Sequence, residues 1–127
     1  MQIEILYTKA LLLLKELIAT PSFSKEEEGT AKIIANFFVE NNVQFDTIKN
    51  NVFSKNKFYD AAKPTLLLNS HHDTVKPNSG YTLNPFEAIE TEGKLFGLGS
   101  NDAGGCLVSL MATYLHFYNH QDRKSVV

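Results

Sequence analysis

The sequence predicts a layered, mixed α/β domain. Three observations carry this. Apolar residues recur at helical spacing in three separate segments. Residues 43–48 alternate with period two, as a half-buried strand does. Residues 65–70 hold the continuous apolar run Leu66-Leu67-Leu68, the pattern of a strand covered on both faces.

The elements follow in order. Residues 7–19 read as a helix, with Leu11, Leu14 and Ile18 on one face and Pro21 as its stop. Ser24 and Glu27 form a capping box that opens a second helix, running to about Asn41. Its inner face is Ala31, Ile34, Ala35 and Phe38, and Asn41-Asn42 suits a left-handed stop. Val43, Phe45 and Thr47 then alternate with Gln44, Asp46 and Ile48, Asn50-Asn51 signals a turn, and Val52-Phe53 begins a second strand. Residues 55–64 and 76–85 are loops. Residues 88–90 and 94–96 flank Glu92-Gly93 as a hairpin. A last helix runs from Asp102 to about Asn119, with Leu107, Leu110, Met111, Tyr114 and Tyr118 at helical spacing.

Composition narrows the function classes. The chain has 127 residues, the length of one domain, and is 43% hydrophobic and 20% charged, so it can build a core. Twelve Lys and Arg against 14 Asp and Glu give a net charge of -2, which argues against a nucleic-acid partner. The longest fully apolar run, residues 10–14, is far short of the roughly 20 residues a membrane span needs. The acidic Glu4 precedes the first basic residue, Lys9, the wrong order for a secretory signal. A cytoplasmic protein without a membrane partner is expected. The single Cys106 excludes an internal disulfide and an all-cysteine zinc site. The last six residues, Asp-Arg-Lys-Ser-Val-Val, are also the translation of GATCGGAAGAGCGTCGTG, part of a common short-read sequencing adapter. Residues 1–121 are therefore expected to be the native part of the chain, and 122–127 an adapter-derived tail.

Two constellations carry chemistry. The first is Ser70-His71-His72-Asp73-Thr74-Val75, directly after the apolar run. Alternation puts His71 and Asp73 on one side and His72 on the other. A neutral imidazole ligates zinc well, and a carboxylate beside it fixes the tautomer. A polar turn with chance histidines gives the same pattern. The second is Gly97-Leu98-Gly99-Ser100-Asn101-Asp102-Ala103-Gly104-Gly105. Its glycines permit positive φ and close backbone approach. Asp102 is an anion at a helix start, where the dipole favours it, or else a plain N-cap. A dinucleotide fingerprint is excluded, because Asp102 stands where its third glycine belongs.

The order His71-x-Asp73, Pro85-Phe86, Gly93-Lys94-Leu95-Phe96-Gly97, Gly99-Ser100-Asn101-Asp102 resembles the zinc metallopeptidase family of acetylornithine deacetylase, succinyl-diaminopimelate desuccinylase, aminoacylase and carboxypeptidase G. The resemblance runs from the first helix to about Tyr118 and is strongest over 66–110. It implies a three-layer catalytic domain with a mixed sheet. It also implies hydrolysis of amide or peptide bonds by two zinc ions, with cobalt as a substitute, a bridging water and a glutamate base. By position, His71 corresponds to a zinc ligand, Asp73 to the catalytic acid that holds its imidazole, and Asp102 to the carboxylate bridging both ions.

The family follows that carboxylate with Met-Lys-Gly-Gly, where this chain has Ala103-Gly104-Gly105-Cys106 and no lysine. The family's Glu-Glu pair, a further acidic ligand, a late histidine and the dimerisation domain correspond to nothing before Val127. The chain is therefore expected to be an N-terminal part of such an enzyme, inactive alone. The complete enzyme is expected to be a homodimer acting on a small N-acyl amino acid, first N-acetylornithine in arginine biosynthesis, or on a short peptide as a dipeptidase or aminopeptidase. A non-enzymatic α/β interaction module is the reading from the other class.

The remaining candidates take structural readings. His116 and His120 are four apart, but Phe117 replaces the glutamate of a zincin pair, so they are expected to pack or lie on the surface. Cys106 is expected to be a buried small residue and His72 to be packed or hydrogen-bonded. Glu26-Glu27-Glu28 reads as a solvated first helical turn. Tyr81 and Phe86 either line a substrate path or pack their loop.

Overall fold

The computed structural model describes residues 1–121. The expected adapter-derived tail, 122–127, lies outside the described residues. Three helices, α1 (Ile3–Ala19), α2 (Glu28–Glu40) and α3 (Gly105–Phe117), carry two small sheets. β1 (Asp46–Ile48) pairs antiparallel with β2 (Asn51–Phe53), and β3 (Ile89–Thr91) with β4 (Lys94–Phe96). The α/β composition expected from the patterns holds.

The core lies between the helices. α1 contributes Leu6, Leu13, Leu14, Leu17 and Ile18, and α2 contributes Ile34, Phe37 and Phe38. On α3 the buried stripe is Val108, Met111 and Leu115, continued by Tyr118. Its centre sits one position beyond the predicted Leu107–Leu110 edge. That register places Cys106 about 200° round the helix from Val108, and the cysteine is exposed rather than buried as expected. The tyrosines at the core edge have partners for their polar ends. The Gln44 amide donates to Tyr118 Oη at 3.1 Å, and Tyr114 Oη shares a 2.7 Å hydrogen bond with Ser54 Oγ.

Local backbone chemistry explains the turns. Asn42, at φ +56°, supplies the left-handed stop after α2. Glu92 and Gly93, at φ +50° and +72°, give the β3–β4 hairpin the two positive-φ residues that a two-residue turn of matching twist requires.

The strand expected at 65–70 does not form. Leu66 and Leu67 are 84% and 80% exposed, and 65–70 belongs to neither sheet. A strand needs a neighbour to take its backbone hydrogen bonds. Both sheets here are local hairpins, and no described residue offers 65–70 a ladder. Pairing occurs only beyond this segment, where Thr74 forms an isolated parallel bridge with Phe23 and its amide donates to the Ser22 carbonyl at 2.7 Å.

Gly99 joins the two halves of the site. Its φ is +78°, and a Cβ built on it would lie 2.6 Å from Thr74 Cγ2. Gly99→Ala is expected to destabilise the fold by about 1–3 kcal/mol, since it adds left-handed strain to a close contact. Chemical denaturation of both proteins checks this; equal stability would show that the contact relaxes freely.

Candidate metal centre

The segment 71–74 is anchored from behind before any chemistry begins. His72 turns away from its neighbour, and its Nε2 donates to the Asn50 carbonyl at 2.9 Å. In the neutral ring Nδ1 then accepts, and it lies 2.7 Å from the hydroxyl of the fully buried Thr30. His72 therefore ties the segment to α2 and the β1–β2 turn, a hydrogen-bonded structural role as expected.

His71 and Asp73 face the other way, as alternation predicts. His71 Nδ1 lies 3.1 Å from Asp73 Oδ1 and 3.1 Å from the Asp73 carbonyl oxygen. Both oxygens only accept, so Nδ1 carries the proton. In the neutral ring Nε2 then presents a lone pair. It points at Asp102 Oδ1, 3.1 Å away. Two acceptors held this close call for a positive charge between or on them.

Asp102 reaches this position from the turn that precedes α3. Residues Ser100–Gly104 form a single wide π-type turn in which Asp102 has the non-helical angles φ -121° and ψ 95°. No side-chain cap is made by this turn or by α3, whose N-cap is Gly104. The N-cap alternative is therefore corrected, and so is the helix expected to start at Asp102. The carboxylate is 89% exposed and faces His71.

Partial burial pushes the His71 pKa down, but the Asp73 carbonyl and the carboxylates of Asp102 and Asp73 outweigh it, and the net shift is upward. The Ser24 hydroxyl is the largest influence holding the Asp73 carboxyl below its ordinary value; burial opposes it, and the His71 imidazole adds to the lowering. The signs are opposite. His71 contributes stability below its ordinary pKa and loses it as pH rises through the raised value. Asp73 contributes above the ordinary carboxylate range and loses it as pH falls through the lowered value.

The donor set fits a divalent cation. Zinc held by an imidazole nitrogen and a carboxylate oxygen at ordinary bond lengths sets those atoms about 3.3 Å apart, close to the 3.1 Å found. The set is also partial. Among the described residues, no group of three or more His, Cys, Asp or Glu side chains is placed to share one ion.

An open cleft of about 650 Å³ lies against the centre, lined by His71, Asp73 and Asp102 together with Tyr81, Leu83 and Phe96. Tyr81 thus lines this cleft. Phe86 instead packs on Phe23, with ring centroids 6.1 Å apart. His116 and His120 stack edge-on with Phe117 at the end of α3, away from the cleft lining.

Residues 67–127 match the model of peptidase family M20/M25/M40. Over these residues the chain is similar to that family. The chain is also similar to three curated relatives. Succinyl-diaminopimelate desuccinylase of Rickettsia bellii (strain OSU 85-389) is 28% identical over 114 residues, covering 82% of this chain and 28% of that protein. The desuccinylase of Buchnera aphidicola subsp. Baizongia pistaciae is 31% identical over 113 residues, covering 86% and 29%. Acetylornithine deacetylase of Shigella sonnei (strain Ss046) is 33% identical over 114 residues, covering 78% and 29%. The chain spans less than a third of the length of these relatives.

The sequence singled out His71, Asp73 and Asp102, and these three side chains converge. It missed Ser24. Its hydroxyl was assigned to a capping box, yet α2 starts at Glu28 and Ser24 Oγ donates to Asp73 Oδ2 at 2.5 Å. The Glu27 carboxylate does reach back, but to the Lys25 amide at 2.6 Å, and its other oxygen accepts from Asn50 Nδ2 at 3.1 Å. Glu27 is thus a tie between loops rather than part of a merely solvated turn. Among the described residues, no helix is long and apolar enough to cross a membrane.

Proposed function

We propose that this chain supplies part of the active site of a metal-dependent amide hydrolase that removes the acyl group from an N-acyl amino acid such as N-acetylornithine. The observation that carries this reading is the approach of His71 Nε2 and Asp102 Oδ1 to 3.1 Å beside an open cleft, with Nδ1 committed to Asp73. His71 and Asp102 are the metal ligands and Asp73 orients the imidazole. Zinc ions, two in the complete enzyme, would polarise the scissile carbonyl and lower the pKa of a water. The tyrosine and aliphatic side chains of the cleft give the substrate an apolar wall. The acetylornithine deacetylase relative supports the acetyl substrate. The desuccinylase relatives favour a second reading, the same bond with a succinyl acyl group. The family resemblance extends the proposal to a cytoplasmic homodimer.

The 127-residue chain tests the reading directly. It is expected to bind zinc weakly and to hydrolyse nothing, because a catalytic zinc takes three protein ligands and two donors converge here. Proton and metal compete for Nε2. Affinity therefore rises with pH through the raised pKa of His71, above the ordinary histidine value of about 6.5. Calorimetric titration across this range, on the wild type and His71→Ala, measures it. Equal affinity of the two proteins defeats the metal assignment. Chelator-sensitive turnover of N-acetylornithine by this chain defeats the partial-site reading.

A further inference from the structure

We infer that Ser24 is a positioning residue for the metal-binding imidazole, acting through Asp73; this rests on the metal reading of His71. The hydroxyl has one proton and the Asp73 carboxylate only accepts, so the 2.5 Å contact to Oδ2 runs from Ser24. Asp73 Oδ1 is left for His71 Nδ1. A carboxylate rotates readily about its terminal torsion, where the preference is broad and two-fold. A donor on one oxygen therefore selects the plane in which the other meets the ring. His71 in turn can hold its Nε2 lone pair toward Asp102 only while Nδ1 keeps its proton in that direction.

Ser24 is itself held by contacts that do not involve Asp73. Ser22 is buried, and its carbonyl takes the Thr74 amide at 2.7 Å. Phe23 bridges to Thr74. Lys25 has φ +75°, and its amide is taken by Glu27 Oε1. The loop between α1 and α2 is thus clamped on both sides of the serine. The hydroxyl is delivered to Asp73 by the α1–α2 loop, which is pinned alongside the ligand-bearing segment at Thr74 and braced from the α2 side by Glu27.

The test uses the 127-residue chain, with zinc as the probe. Nitrogen NMR of the His71 ring, recorded metal-free at a pH where the imidazole is neutral, reads the fraction of Nδ1–H tautomer. Calorimetry reads zinc affinity. Ser24→Ala is expected to lower the Nδ1–H fraction and to weaken zinc binding several-fold, below the roughly 10–100-fold of a partner touching the ligand itself. Ser24→Thr is expected to restore both. A merely structural serine would lower the melting temperature and leave the tautomer of the folded protein unchanged. If Ser24→Ala does not fold, Ser24→Thr and Ser24→Cys make the same comparison: the hydroxyl must keep wild-type values, and the thiol, a weak donor, must not. Wild-type tautomer and affinity without the hydroxyl overturn the inference. Zinc binding that ignores His71 overturns the metal reading instead, and the metal-free tautomer still decides on Ser24.

Discussion

Asp102→Ala is expected to abolish turnover and remove at least one zinc in a protein of the relatives' full length that carries this segment. In the bridging role that the family resemblance implies, the Asp102 carboxylate would offset charge on two cations, which would repel each other without it. Metal-ion stabilisation of a hydrolytic transition state is worth several kcal/mol, about a thousandfold or more in rate at about 1.4 kcal/mol per tenfold. The structure sharpens this expectation. Asp102 makes no cap and its side chain is 89% exposed, so the folding stability should change by less than about 0.5 kcal/mol. Turnover, metal content and denaturation measured on one sample separate the two roles. A variant that keeps two zincs and ordinary turnover would return Asp102 to a turn residue.

Asp73→Asn, in the same full-length context, is expected to impair turnover strongly while largely retaining both zincs. His71 still coordinates, and the amide is isosteric with the acid. What is lost is the negative charge that raises the basicity of the ring, together with one of the two acceptors that Asp73 offers to His71 and Ser24. Loss of such a partner typically costs about 10–100-fold. Bound zinc and rate, compared with the wild type, distinguish this outcome from that of Asp102→Ala. Loss of both ions from Asp73→Asn would mean that Asp73 is itself a ligand.

The helices were legible because each needs only its own residues to make its backbone hydrogen bonds, and its buried stripe repeats every three or four positions. α1, α2 and α3 match their predicted spans to within a few residues. The hairpin at Glu92-Gly93 was legible for a similar reason: its turn is local. The apolar run Leu66-Leu67-Leu68 misled, because a strand is a property of its neighbours and these leucines have no ladder here. Ser24 misled in the opposite sense. The local rule assigned its hydroxyl to a helix end four residues away, and a carboxylate 49 positions along the chain receives it.

By itself, the sequence determined the helices and hairpins, the alternation that separates His71 from His72, and a glycine-rich turn able to take a left-handed backbone, which the structure places at Gly99. Those depend on the periodicity of side chains along a chain and on the sterics of one residue. Only the tertiary structure decided that Asp102 leaves the helix and turns its carboxylate toward His71, that Asp73 is gripped from its far side by Ser24, and that His72 is committed to Thr30 and Asn50. Each of these joins groups more than 20 positions apart. The energy of a hydrogen bond depends on distance and direction in space, and sequence spacing specifies neither until the helices have packed.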